Sequence, residues 1–144
     1  MSQLEYHYET IGRVLKHLID RGLRKVDLDG SDARNIIPEQ EGREDEWDVE
    51  NTFDSVIHWM IDEGLLRASS IQQDEDCDIF NGVQLTSKDL AVIKKQPSGQ
   101  ELDGSIEEIL KDEKKTALSA DVYTKIGSLV GGAAGGFIQA IGGG

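Results

Sequence analysis

Cysteine occurs once in the 144 residues, at Cys77, so no internal disulfide can form. The expectation is a reducing compartment. Basic residues are outnumbered, 15 Lys and Arg against 28 Asp and Glu, for a formal net charge of −13. A surface of that sign repels phosphate backbones and anionic headgroups, which removes nucleic acid and membranes as default partners. No uninterrupted apolar run approaches the roughly 20 residues that a spanning helix needs. Residues 1–18, where a signal peptide would lie, are interrupted by Glu5, His7, Glu9 and Arg13. A cytoplasmic protein is therefore expected.

Catalytic groups are equally thin. His7, His17 and His58 are scattered and form no ligand-spaced cluster, so no metal site is predicted. Each reads as a surface or helix-flank histidine. Cys77 has no neighbouring histidine or basic pair to lower its pKa and reads as a bystander. Carboxylates abound, but general acid–base chemistry needs a pair held in a pocket, and no spacing here indicates one. The glycines near the C-terminus are not followed by Gly-Lys-Ser/Thr, which excludes a phosphate loop. The chain reads as non-enzymatic, with no catalytic residue and no cofactor.

Periodicity is what the chain does have. Leu4, Tyr8, Ile11, Val14, Leu15 and Leu18 make one apolar helical face, predicting a helix over 3–21 that Gly22 stops. Residues 23–28 alternate and predict a short strand before an Asp29-Gly30 turn. Ser31 is the predicted N-cap of a brief helix reaching Ile37, which Pro38 ends. After a polar loop, Val49, Phe53, Val56, Ile57, Met60 and Ile61 predict a second strong helix, closed by Gly64. Extended segments follow over 66–71 and 79–85, joined by an acidic turn. Thr86-Ser87-Lys88-Asp89 reads as a capping box opening a short helix with Leu90 and Ile93. The predicted organisation is a domain over 1–96, a linker over 97–104, and a C-terminal helix with a glycine-rich tail over 105–144. The fold class is mainly α with a small β-hairpin, and 1–96 is expected to be stable alone.

This order of elements resembles the winged-helix superfamily, as do two motifs. Its members often end a core helix in Gly-Leu-Leu or Gly-Leu-Ile, as Gly64, Leu65 and Leu66 do here. They follow the wing with Leu-Thr-x-x-Gly; Leu85 and Thr86 match, and Asp89 stands in place of the glycine. The resemblance covers the first two-thirds of the chain. It implies DNA binding, yet residues 44–66 hold eight acidic residues and no Lys or Arg. Asp74, Glu75, Asp76 and Asp78 crowd the wing tip. Such surfaces offer repulsion where phosphate contacts need cations. The cations that exist, Arg13, Lys16, Arg21, Arg24 and Lys25, read as a solvated mixed-charge face.

Protein binding is the remaining expectation. Trp59 sits about 120° from the Phe53 position on a helical wheel, and Trp47 lies near the helix start. With Asp48 and Asp62 they form the candidate partner-binding set, since tryptophan beside acids suits an interface anchor. Both indoles capping the core from its edges is the alternative, and nucleic-acid mimicry stays open.

The least ordinary stretch is 126–141, with five glycines between 127 and 136. Each costs roughly 1 kcal/mol against alanine in a helix. Ile126, Leu129, Val130, Phe137 and Ile141 share a broad apolar face, with Gly127, Gly131 and Gly135 opposite. The spacing is similar to glycine-zipper segments, where small residues let helices approach closely. As helix the stretch spans about 24 Å, short of a hydrocarbon core of about 30 Å. Gly127, Gly131, Gly135, Leu129, Phe137 and Ile141 are the candidate association residues, for self-association or docking. A membrane-active effector whose tail enters lipid is the alternative function, a flexible tail is another reading, and a DNA-binding regulator is the third.

Overall fold

The computed structural model describes the backbone at 2–38, 46–95, 102, 104–111 and 118–142, with side chains there except at 46–47 and 133–142. Helix α1, Gln3–Ile19, opens with a capping box in which the Ser2 hydroxyl accepts from the Glu5 N–H and the Glu5 carboxylate accepts from the Ser2 N–H. Strand β1, Val26–Leu28, leads into α2, Gly30–Ile36. The cap of α2 is Asp29, not the predicted Ser31. The Asp29 carboxylate accepts from the Ser31 and Asp32 amides and Asp32 bonds back to the Asp29 N–H, leaving Ser31 inside the first turn.

Helix α3, Glu46–Asp62, ends at Gly64, whose φ of 77° is in the left-handed region that glycine tolerates. There the Leu65 N–H reaches back to the Met60 carbonyl at 2.9 Å, as in a Schellman closure. Strands β2, Leu66–Arg67, and β3, Ser70–Gln72, pair in turn with one edge of β4, Ile79–Leu85, while β1 pairs with its other edge. All pairings are antiparallel, with Leu66 opposite Leu85, Ile71 opposite Phe80, and Leu28 also opposite Phe80. The strand expected over 66–71 is thus broken at 68–69, although the Ser69 N–H still bonds the Asn81 carbonyl.

Thr86 caps α4, Ser87–Lys94, accepting from the Asp89 N–H at 3.1 Å. Only that half of the expected capping box forms, because the Thr86 N–H is taken by the Leu65 carbonyl at 3.2 Å. Ser105 caps α5, Ile106–Leu110, and α6 runs over Ala120–Gly142. The class is mainly α with a small antiparallel sheet.

One buried cluster unites these elements. Leu15 and Leu18 of α1, Phe53 and Met60 of α3, and Phe80 of β4 join Leu110 of α5 and Ile126 and Val130 of α6. The core therefore crosses the boundary expected at 96. It does so because α1 is packed on more than one side: Tyr6, Glu9 and Thr10, off the predicted stripe, are buried, while Leu4, on it, is 57% exposed.

Candidate functional site

The main helix-to-helix contact is α1 against α6, and glycines on both helices permit it. A Cβ at Gly12 would lie 2.5 Å from the Tyr123 carbonyl oxygen, and one at Gly127 would lie 2.7 Å from the Tyr8 Cα. The two backbones touch where side chains would otherwise hold them apart. Gly127 therefore belongs to the packed side of α6 with Ile126 and Val130, not opposite the apolar face as the wheel suggested. Among the described residues a Cβ at Gly131 would meet the Tyr8 ring alone, at 3.6 Å, and one at Gly132 would meet nothing within 4 Å. Leu129 is half-buried against the core. The surroundings of Gly135, Phe137 and Ile141 lie outside the described residues.

Polar groups flank this crossing. The Arg13 guanidinium lies 4.5 Å over the Tyr123 ring, and its Nε donates to Glu9 Oε2 at 3.0 Å. Lys16 Nζ donates to the Leu110 carbonyl at 2.8 Å, at the C-terminal end of α5 where a cation is favoured. These two cations, expected on a solvated face, instead hold the C-terminal helices to α1. Gly12 was not anticipated. Its signal was available: a glycine mid-helix costs about 1 kcal/mol and needs a packing reason.

Beside the crossing, α1, α3 and α6 enclose a groove of about 410 Å³ lined by Leu4, His7, Tyr8, Ile11, Ser55, Val56, Trp59 and Gly131. That volume is in the range of apolar binding pockets, roughly 300–1,000 Å³. Trp59 is half-buried, packed on the core from its edge while lining the groove. Asp48 is eleven residues before Trp59, about 20° away on a helical wheel, and Asp62 is one turn after it. The three share a face of α3. Burial lowers the pKa of His7, against an opposing pull from Asp48, so that acid stands near the groove. Trp47 contributes backbone to α3, and its side chain lies outside the described residues.

A second cluster gathers round His58. It lies one turn after Asp54 on α3, and the segment before β4 delivers Asp78 to it. His58 Nε2 is 2.8 Å from Asp78 Oδ2 and 3.9 Å from Asp54 Oδ1. The Asp78 N–H donates to Asp54 Oδ1 at 2.9 Å, and the Asp74 N–H to Asp78 Oδ1 at 3.2 Å. The His58 ring meets Phe80 edge-on, 5.0 Å between centroids at 69°. His58, expected to be isolated, therefore has two carboxylates in reach. The i, i+4 spacing of Asp54 and His58 was legible; Asp78 arrives only through the hairpin. Cys77, next to Asp78, is buried, and burial together with Asp54, Glu50 and Asp78 pushes its thiol up to about 12. That favours an inert thiol.

Asp89 is the third unusual group. It is fully buried in α4, and neither carboxylate oxygen has a hydrogen-bond partner among the described residues. Burial raises its pKa to about 7. No protein-family model, curated protein or solved structure matches this chain.

Proposed function

We propose that the chain is a non-enzymatic protein-interaction module. In this reading residues 1–95 form a winged-helix-like unit, and α6 completes a groove for an apolar segment of a protein partner that carries flanking Lys or Arg. The groove lined by Trp59 carries the proposal, because three helices contribute apolar walls to it beside the acidic face of α3. Tryptophan in a desolvated setting is a common interface anchor. The order of helices and strands, with β1 paired to the far strand of the hairpin, supports the winged-helix-like part.

The same observations weigh against the other functions. Residues 44–66 hold no Lys or Arg to meet phosphates. For α6 to enter lipid it would first have to leave α1, exposing Ile126 and Val130, which are fully buried. Among the described residues, no helix is long and apolar enough to cross a membrane.

A photo-crosslinking residue at Ser55, in the groove, compared with one at the exposed Ser87, tests the proposal in the native cell. A discrete protein adduct is expected from position 55 and none from 87. Trp59→Ala should abolish it, since hot-spot truncations typically weaken binding by about 30-fold or more. Equal adducts from both positions, or an adduct that survives Trp59→Ala, would overturn the assignment.

A further inference from the structure

We propose that Asp54, His58 and Asp78 form a binding site for a divalent transition-metal ion of zinc-like character. One nitrogen and two carboxylates offer ligand atoms within 4.8 Å of one another, from two elements of the fold. Tetrahedral zinc with bonds of about 2.0–2.2 Å sets its ligands about 3.4 Å apart. The observed separations from Nε2, 2.8 Å and 3.9 Å, straddle that value, each within about 0.6 Å of it.

The supporting contacts fit a ligand set. The amides of Asp78 and Asp74 each hold one oxygen of a candidate carboxylate, which orients both groups as outer-shell partners do in metal sites. Phe80 fixes the tilt of the imidazole from its edge. Charge favours a cation too. Residues 46–66 and 68–87 contain no Lys or Arg, while Asp74, Glu75 and Asp76 add negative charge beside Asp78. An imidazole nitrogen suits zinc and its neighbours better than magnesium or calcium, which prefer oxygen alone. Three protein ligands leave one tetrahedral position for water. The bound ion would tie α3 to the hairpin, so binding should stabilise the fold.

The test is calorimetric titration of the full-length protein with zinc and, separately, magnesium, with thermal unfolding followed in both. One zinc per chain with micromolar affinity and a raised Tm is expected, with magnesium at least tenfold weaker. His58→Gln and Asp78→Asn should each weaken zinc binding at least tenfold, while Glu75→Gln, at an exposed position in the same acidic turn, should leave it unchanged. Circular dichroism of each variant without metal checks that it is folded; Asp78→Asn, outside the helices, serves if His58→Gln is not. Absent zinc binding, affinity equal for magnesium, or binding that survives in the folded variants would overturn the site. In those cases His58 serves only as a hydrogen-bond partner of Asp78.

Discussion

Gly127→Ala should destabilise the protein by about 2–3 kcal/mol, whereas Gly132→Ala should stabilise it by up to about 1 kcal/mol. The two changes are chemically identical and lie on the same helix. Each gains helix propensity of about 1 kcal/mol. They differ in what the new methyl group meets. At 132 it meets nothing among the described residues, and at 127 it enters the backbone of Tyr8. Backbone cannot change rotamer, so relief requires α1 and α6 to separate, loosening the contacts of Tyr123, Ile126 and Val130. Urea denaturation followed by circular dichroism measures both. A stabilised Gly127→Ala variant would show that the helices do not cross there.

Asp89 predicts a stability that falls as pH rises. Its carboxyl has a pKa raised from 3.8 to about 7, so between those values the folded chain holds a proton that the unfolded chain has released. The stabilisation is complete below the unfolded value and lost as pH climbs through about 7. Between pH 5 and pH 8 that loss amounts to about 2–3 kcal/mol. Asp89→Ala removes the titrating group. Its stability relative to wild type should improve by about the same 2–3 kcal/mol over that interval, despite a small cavity cost common to both pH values. Comparing the two proteins cancels the general effect of the chain's negative charge. A difference in stability that is constant from pH 5 to pH 8 would remove Asp89 as the cause.

The fold was legible where one element sets its own boundary. The stripe from Phe53 to Met60 and the glycine at 64 suffice to place α3 and its end, because periodicity and a left-handed closure are local properties. The cap of α2 was misplaced by two residues, since Asp29 and Ser31 are both competent acceptors and only the backbone path decides between them. What depends on two distant segments was less legible. Gly127 looked like part of a ridge facing away from the apolar stripe, and its role needs Tyr8 opposite it. Arg13 looked like a surface cation until Glu9 and Tyr123 enclosed it. The site at His58 divides the same way. Asp54 is readable from helical spacing, whereas Asp78 is brought in by the return of the hairpin and has no local signal. Asp89 was read as the returning acid of a capping box begun by Thr86, and its carboxylate instead lies buried with no hydrogen-bond partner among the described residues, the Thr86 amide being bonded to the Leu65 carbonyl.

The groove exists only if α6 is part of the core, because Gly131 supplies one wall of it and Gly127 seats the helix that carries that wall. Amide hydrogen exchange on the intact, isolated protein measures this directly. A packed helix opens only with the structure it is packed on, so amides at 122–131 should be protected to the same degree as those at 6–18. Exchange at 122–131 as fast as in an unstructured peptide, with 6–18 still protected, would contradict the docked helix and the groove with it.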